Sequence, residues 1–478
     1  MSDTGAVPGT APVSRPARSV SRREALVNAG LLGASTMVLP MVPAMPGEQP
    51  QGPDAVPVAG PDGIVDPAFA HHPLYSTAVG IGEDGKRRLL PVGEDPGFLD
   101  GTRVYGDSAR ARALAEEQTA WLAAGRVPGG PGSGAAEFTE MIRTALLDLH
   151  TLTTEDGGVA AGWSVKWRYH WPRDCAFAAL AFARTGHTAD ALRVLERLSA
   201  VQQEDGRFQA RYVPGSRDVP DRRGVQLDGT GWALWAAAGV LAEVPDAEVP
   251  AWFAPFVDRS LACLLDLVGG GNRLPPPSPD YWEVRDLAVS LGTAAPLLAG
   301  LYGAAEVVGR LGDSAREREV RAAAERYEET VHAHFGAAGY PRFRLFGRFD
   351  ASVVFLLPPF VPTGTGARFA EDTARARQKA EARMRRPAGG LAPGEGWKRD
   401  GISWTPATAL FAWSHASSGE TRRAREWMRW LEEHRTPHGA LPEKVLADGS
   451  PAAVAPLAWT AALVVLTAVA LEGRSAEG

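Results

Sequence analysis

Cysteine is scarce in this 478-residue chain. The two cysteines, Cys175 and Cys263, cannot build a disulfide framework, and they fit no metal-ligand spacing. A single disulfide between them remains open, although no sequence pattern supports it. The ten histidines are scattered rather than clustered. We therefore expect no metal and no organic cofactor.

Positive charge is not in excess either. Lys and Arg number 50 against 56 Asp and Glu, which gives a net charge of −6. Because phosphate binding requires a basic surface, this balance argues against nucleic acid as the main partner. A hydrophobic fraction of 45% and a charged fraction of 22% describe a globular protein with an ample core.

Long apolar runs are missing after the amino terminus. There, paired Arg22 and Arg23 precede a mildly apolar run of about eighteen residues, a pattern typical of a twin-arginine export signal. The alternative is a membrane anchor, but Gly30, Gly33 and two prolines disfavour a permanent span. We expect residues 1–44 to be the signal. The exported protein, without a stable membrane span, would then be extracellular or associated with a bacterial cell envelope.

The rest of the chain divides by composition. Residues 45–70 are rich in Pro, Gly and Ala and are predicted to be a flexible leader. Residues 71–133 carry short apolar stretches broken by Gly, Pro and Asp, which predict a small β-hairpin or extended arm followed by a helix at 108–124. Residues 134–478 form about twelve helical patterns with no run of strands between them.

These helical patterns alternate between largely apolar and strongly amphipathic members. A double-layered α-barrel requires this alternation, because its inner helices are buried on nearly every side and its outer ones keep a wet face. The predicted fold is all-α, an (α/α)6 toroid or six-hairpin barrel with a short irregular N-terminal arm. A helical-repeat solenoid is the alternative, but no fixed repeat period occurs. In such a barrel, reactive residues should lie on the loops at one end.

Five loops place aromatic and charged residues directly before an apolar helix. In chain order these residues are Tyr169, Trp171, Arg173 and Asp174; Gln226 and Asp228; Trp282, Glu283 and Arg285; Arg399 and Trp404; and Glu443 and Trp459. Each acidic residue alone could be a helix cap or a favourable charge near a helix N-terminus. Capping, however, does not call for a tryptophan alongside every time. A polyhydroxyl ligand would give the buried charges their partners.

Two glutamates suit acid–base chemistry. An inverting glycosidase needs a protonated carboxyl for the leaving oxygen and an ionised carboxylate for water, roughly 6.5–9.5 Å apart. Glu283 follows Trp282, whose indole could desolvate the carboxyl and raise its pKa. Glu443 lies near Gly, Asp and Lys444, which predicts a wetter loop and an ionised carboxylate.

The segments "YHWPRD", "QLDG", "YWEVRD", "WKRDGISW" and "LPEKV…PLAW" resemble the ordered signature segments of glycoside hydrolase family 15, the glucoamylase type, over roughly residues 134 to 472. The resemblance implies an (α/α)6 barrel that releases glucose from non-reducing ends with inversion. It also implies that Glu283 is the general acid and Glu443 the general base, and that Arg173, Asp174 and Arg399 contact the terminal glucose.

The chain also departs from that family. It has no room for the large β-sandwich that many relatives carry before the barrel, and no obvious starch-binding module. Val284 stands where fungal relatives have a second acidic residue, which puts linkage preference in doubt.

We therefore predict a monomeric exo-acting α-glucoside hydrolase whose partner is an oligo- or polysaccharide. The alternatives are a trehalose- or other sugar-specific (α/α)6 hydrolase and a non-catalytic glycan-binding envelope protein.

Overall fold

The computed structural model describes residues 76–362 and 367–472. The predicted export signal, the leader and the first residues of the arm lie outside the described residues. Within those ranges the chain forms twelve α-helices: α1 (Ala109–Ala124), α2 (Thr139–Leu152), α3 (Pro172–Arg184), α4 (Thr188–Val201), α5 (Asp228–Leu241), α6 (Phe253–Leu267), α7 (Leu291–Arg310), α8 (Ser314–Phe335), α9 (Ala367–Met384), α10 (Thr405–Ser417), α11 (Thr421–Glu433) and α12 (Ala458–Glu472).

Six elements close into an inner ring. In order they are α3, α5, α7, the 3-10 helix Ala351–Leu356, α10 and α12, and α12 packs back against α3. An outer helix covers each of them: α4 lies on α3, α6 on α5, α8 on α7, α9 on the 3-10 helix, α11 on α10 and α2 on α12. The predicted all-α (α/α)6 toroid is confirmed.

Sequence composition accounts for the two layers. Apart from Asp228 and Thr230 in its first turn, the inner helix α5 is made of Ala, Gly, Leu, Val and Trp, and it is buried at nearly every position. The outer helix α11 buries Trp427, Met428 and Leu431, while Arg422 and Glu426 on its other face are exposed. Burial of apolar area, at about 25 cal/mol per Å², drives both arrangements. An all-round apolar helix needs neighbours on every side, whereas an amphipathic one needs them on one side only.

One inner element is shorter than predicted. The segment "DASVVFLL" suggested an α-helix, but only Ala351–Leu356 is helical, and in the 3-10 form. Leu357 and the paired Pro358 and Pro359 follow it. A proline disfavours helical backbone at the residue before it and cannot donate to a helix, so the element ends there.

The N-terminal arm packs against the barrel. Strands β1 (Ala78–Ile81) and β2 (Arg87–Leu90) form an antiparallel hairpin. Arg103, buried in the arm, donates to both carboxylate oxygens of Asp148 on α2, at 2.6 and 3.0 Å. The Ser76 hydroxyl donates to the backbone oxygen of Ala455, at 2.8 Å, in the loop before α12. The arm therefore borders the loops that carry the candidate site residues.

The two cysteines are free and buried, so the possible disulfide is not formed. Burial raises the pKa of the Cys175 thiol to about 12, which keeps it protonated and unreactive. Among the described residues, α7 is the helix long and apolar enough to cross a membrane, and 94% of its apolar window is buried inside the barrel. Its hydrophobicity is explained by its place in the inner ring.

Helices α5 and α7 approach unusually closely. A Cβ at Gly231 would lie 2.3 Å from the backbone oxygen of Pro296, and a Cβ at Gly300 would lie 2.7 Å from the Cα of Gly231. Both obstacles are backbone atoms, which cannot rotate away. Glycine is therefore required where these two helices cross.

Replacing Gly231 by Ala should separate α5 from α7 and lower the free energy of unfolding by about 2 kcal/mol. Gly239→Ala, on the same helix, is the matched control. Its Cβ would meet the end of the Leu180 side chain, which can rotate, so little loss is expected. Denaturant unfolding of both variants measures the difference. Equal losses would contradict the close-approach explanation.

Candidate active site

The loops before the inner elements are joined to one another. His170 and Tyr212 exchange backbone hydrogen bonds of 2.9 Å, which link the first two loops. The backbone N–H of Leu227 donates to the Ser278 hydroxyl at 3.1 Å, which links the second and third. The remaining links are Tyr281 to Asp350, Ala351 to Pro393, Thr405 to Glu443 and Ala458 to Ala161. The loops therefore form a closed ring at one end of the barrel, where the reactive residues are expected.

Arg173 lies at the centre of the charged side chains. It is buried, with one guanidinium nitrogen 3.1 Å from Asp174 Oδ2 and another 3.4 Å from Glu283 Oε1. Its Cζ lies 4.7 Å from the ring centroid of Trp459. Burial raises the pKa of Asp174, and the guanidinium of Arg173 opposes that rise. These contacts bring together four residues that the sequence placed on three separate loops.

Glu283 has a left-handed backbone conformation, with φ at 57°. That conformation costs roughly 1–2 kcal/mol for a residue with a Cβ, so the surrounding turn must hold it. The Glu283 N–H donates to the backbone oxygen of Asp280 at 2.8 Å, and the Trp282 N–H donates to Asp280 Oδ1 at 2.9 Å. Backbone outliers of this kind concentrate at functional sites.

The carboxylate of Glu283 lies between two guanidinium groups. Oε1 contacts Arg173 at 3.4 Å, and Oε2 accepts a hydrogen bond from Arg223 at 2.9 Å. The two sides differ in exposure, since the Arg173 side chain is 8% exposed and that of Arg223 is 33% exposed. Glu283 therefore stands at the boundary between a closed interior and an open cleft.

Trp282 has a different role from the one its position suggested. Its ring lies over the guanidinium of Arg342, 4.0 Å from Cζ to the ring centroid, and packs edge-on against Trp397 at 4.7 Å. The two arginines bond the Glu283 carboxylate, and the ring of Trp282 packs on Arg342, which bonds the same turn.

Arg342 anchors this turn, and sequence reasoning missed it. It donates to Asp280 at 2.7 Å and to Asp286 at 2.8 Å, and it lies 3.7 Å from Asp350. Burial raises the pKa of Asp286 to about 6, although Arg342 opposes that rise. Arg342 comes from the loop after α8, so no local pattern around Glu283 could have revealed it.

Glu443 is more buried than predicted. Its side chain is 10% exposed, against 20% for Glu283, so the wetter loop expected around Glu443 is wrong. The cause is a small sheet of β3 (Ser403–Trp404), β4 (Lys444–Val445) and β5 (Pro451–Ala452), which folds the loop inward. Lys444 Nζ lies 3.3 Å from Glu443 Oε2 and 4.4 Å from the centroid of Trp404.

Two rows of contacts connect the regions around the glutamates. Trp282, Trp397 and Trp404 pack edge to face, with ring centroids 4.7 and 5.4 Å apart, and Trp404 then meets Lys444. On the other side, Trp459 contacts Arg173, and the adjacent Thr460 shares a 2.8 Å hydrogen bond with Thr405, whose N–H donates to the Glu443 backbone oxygen. Both glutamates therefore belong to the same end of the barrel.

Several buried polar atoms at this end have no hydrogen-bond partner among the described residues. They are Asp174 Oδ2, Glu443 Oε2 and the indole nitrogens of Trp171, Trp282, Trp397, Trp404 and Trp459. For Asp174 and Glu443, the cations at 3.1 and 3.3 Å supply ionic contact without hydrogen-bond geometry. Buried polar groups are normally paired, so this concentration indicates a polar ligand or ordered water.

An open cleft of about 670 Å³ adjoins Glu283. Its lining residues are Arg222, Arg223, Gln226, Pro277, Pro279, Glu283, Val284, Arg285, Asp286 and Leu287. Three predicted site residues, Gln226, Glu283 and Arg285, are thus brought together here, whereas Glu443 is not among the residues that line the cleft.

The other predicted site residues have varied surroundings. Tyr169 and Trp171 both lie against Arg211, whose Cζ is 4.4 and 4.9 Å from their ring centroids. Asp228 is buried near Arg173. Arg399 is exposed, and it forms no hydrogen bond or ion pair with the described part of the chain. Within that part, no group of three or more His, Cys, Asp or Glu side chains could hold a metal ion.

Comparisons with known proteins support the fold. No family profile matches the sequence, and no curated protein matches it. Among solved structures, a glutamate-to-alanine variant of a glycosidase in complex with glucose is similar at a TM-score of 0.60 and 20% identity, over 70% of this chain and 97% of that one. A bacterial glucoamylase complexed with acarbose is similar at 0.60 and 16%, over 77% of this chain and 59% of the other.

A glucoamylase from Saccharomycopsis fibuligera is similar at a TM-score of 0.54 and 13% identity, over 73% of this chain and 97% of that one. At these identities the comparisons establish a shared fold, which is the fold that the sequence resemblance implied.

Asp228 provides a test of the buried charges. Burial raises the pKa of its carboxyl from the ordinary range of aspartate, near 4, to about 7, and Arg173 opposes the rise. Because the folded protein binds this proton more tightly than the unfolded chain, its contribution to stability is lost as the pH rises from about 4 to 7. Asp228→Asn removes the titration. The stability of the variant relative to wild type should therefore increase by about 2 kcal/mol between pH 5 and pH 8.

Denaturant unfolding at both pH values measures this change. Asp266→Asn, at an exposed position on α6, is the control and should show almost no pH-dependent difference. A constant difference between Asp228→Asn and wild type would show that Asp228 is already ionised at pH 5.

Proposed function

We propose that this protein is a glycoside hydrolase that removes a terminal glucose from the non-reducing end of an α-glucan or oligosaccharide, with inversion. The observation that carries the proposal is the position of Glu283 between a closed, polar interior and an open cleft. An exo-acting enzyme needs this division: one side holds a single sugar ring, and the other admits a leaving group of variable length.

The closed side suits sugar hydroxyls. Arg173 offers N–H donors, and Asp174 Oδ2 is a buried acceptor that receives no hydrogen bond from the described residues. The indole N–H groups of Trp171 and Trp459 likewise lack a hydrogen-bond acceptor among the described residues. A hydroxyl both donates and accepts, so a ring with several hydroxyls can satisfy all of these groups at once. The aromatic faces beside them suit the apolar faces of a sugar.

Glu283 would act as the general acid. It lies at the junction of the two sides, where the glycosidic oxygen must stand if the terminal sugar occupies the interior and the leaving group the cleft. Protonating that oxygen stabilises departure of the leaving group and is typically worth 10²–10⁴-fold in rate. The turn held by Asp280 and Arg342 would fix its direction.

Glu443 would act as the general base. Its Oε2 is buried and carries no hydrogen bond, and the ammonium of Lys444 lies 3.3 Å away. An ionised carboxylate with an oxygen that receives no hydrogen bond from the protein can orient and deprotonate a water molecule. In an inverting reaction that water attacks the anomeric carbon from the face opposite the leaving group.

The similar solved structures support the substrate class. They include a glycosidase in complex with glucose and a bacterial glucoamylase in complex with acarbose. We propose a carbohydrate substrate for this chain because its fold is similar and because several buried polar atoms at the site lack hydrogen-bond partners among the described residues. The paired Arg22 and Arg23 support the further proposal that the enzyme acts after export.

Replacing Glu283 or Glu443 by Gln should each lower turnover on the best α-glucoside by about 10²–10⁴-fold while the fold is retained, since Gln keeps the shape but neither donates nor takes the proton. Steady-state kinetics on maltose, isomaltose and trehalose measure this loss and identify the preferred linkage. Glu196→Gln, at an exposed position on α4, is the control and should keep full activity. Near-normal turnover in either test variant would refute its assigned role.

A further inference from the structure

The open cleft beside Glu283 has more basic than acidic side chains in its lining, although the whole chain carries a net charge of −6. Three of its lining residues are arginines, Arg222, Arg223 and Arg285, and two are acidic, Glu283 and Asp286. The partners of these charges decide what the cleft can bind.

Two of these arginines are unpaired. Arg222 and Arg285 are exposed, and neither forms a hydrogen bond or ion pair with the described residues. Arg223 is paired with two carboxylates: its Nη1 donates to Glu283 at 2.9 Å, and its Nε donates to Asp221 at 3.0 Å. The cleft therefore contains guanidinium donors that no protein group satisfies.

The acidic groups of the cleft do not neutralise these arginines. Asp286 is bound by Arg342 at 2.8 Å, and Glu283 is also contacted by Arg173 at 3.4 Å. Neither Arg342 nor Arg173 lines the cleft, so Asp286 is bonded to a cation behind the wall, and Glu283 is divided between Arg173 behind the wall and Arg223 within it. The positive charge of Arg222 and Arg285 remains available to a ligand.

The geometry points to an oxyanion site: the cleft binds a carboxylate, phosphate or sulfate group carried by the leaving group of the substrate. This inference rests on the proposed hydrolysis, in which the cleft side of Glu283 receives the leaving group. Guanidinium groups bind planar and tetrahedral oxyanions through paired N–H donors, which makes arginine suited to this task. A free anion in the same cleft would use the same chemistry.

An anion in this position would meet the two exposed guanidinium groups of Arg222 and Arg285. It could also share the guanidinium of Arg223 with Glu283 Oε2. Substrates with an anionic leaving group would thus be bound more tightly.

The test compares two aryl α-glucosides of nearly the same shape, the anionic 4-carboxyphenyl and the neutral 4-carbamoylphenyl α-glucoside, and follows the ratio of their kcat/KM values across variants. The carboxylate compound should have a kcat/KM about tenfold higher, the effect of two exposed ion pairs acting together. In the Arg222→Gln/Arg285→Gln double variant, this ratio should fall to about one. Arg222→Lys/Arg285→Lys should restore part of the preference, since the charge is kept.

The control is Arg318→Gln, which removes an exposed arginine from the outer helix α8, and it should leave the ratio unchanged. A ratio near one in the wild type, or a ratio that survives the double Gln variant, would overturn the inference while leaving the hydrolase proposal intact.

Inorganic phosphate distinguishes the source of the anion. If the leaving group carries it, phosphate should raise the KM of the carboxylate substrate and leave the carbamoyl substrate unaffected. If phosphate instead accelerates hydrolysis of the carbamoyl substrate, and does so only with Arg222 and Arg285 present, the oxyanion site stands and its ligand is a free ion.

Should no α-glucoside be hydrolysed, the proposed function fails and the site is tested by binding alone. Calorimetric titration of the folded protein with phenyl phosphate should then show binding that the double Gln variant lacks. Absence of binding to the wild type would overturn the site as well.

Discussion

The buried guanidinium of Arg173 is the interaction on which the site depends. A cation removed from water is costly unless charged and polar groups surround it, and removing one partner of such a set is typically worth 3–5 kcal/mol. Asp174 beside it on α3, Glu283 on the loop before α7 and the face of Trp459 on α12 supply those partners. The barrel ring must close in order to bring these three elements together. Arg173 therefore couples the geometry of the fold to the position of the candidate acid.

Glu283 is held from two directions that have different functions. From inside, Arg173 orients one carboxylate oxygen, and from the cleft Arg223 binds the other. Beneath it, Arg342 joins Asp280, Asp286 and the ring of Trp282 into a single buried cluster. This support makes a strained backbone position tolerable, because the cluster fixes the turn independently of the carboxylate. The Glu283 carboxylate is therefore held in place without a ligand.

The sequence predicted the layered barrel because layering leaves a local signal. An inner helix must be apolar on all sides, and an outer helix must be apolar on one face. The residue pattern of each helix therefore indicates the layer to which it belongs. The loops could also be found, since tryptophans beside charges before an apolar helix are unusual. Arg342 and Arg223 could not be found in this way, because their contacts with the third loop are non-local.

Two local environments were misjudged for the same reason. Trp282 is adjacent to Glu283 in the chain, yet its ring faces Arg342 and Trp397. Glu443 has polar neighbours in sequence, yet a three-stranded sheet that joins two loops buries it. Burial of a loop residue depends on which distant segment covers it, and the residues adjacent in sequence do not indicate that segment.

In the proposed single-displacement reaction, Glu283 and Glu443 act on opposite faces of the sugar. Proton NMR of a fresh digest of an α-glucoside substrate tests this mechanism, because the anomeric signal of the first product reports the stereochemistry before mutarotation. If the two glutamates act in this way, β-glucose appears first. An initial product of α configuration would rule the mechanism out.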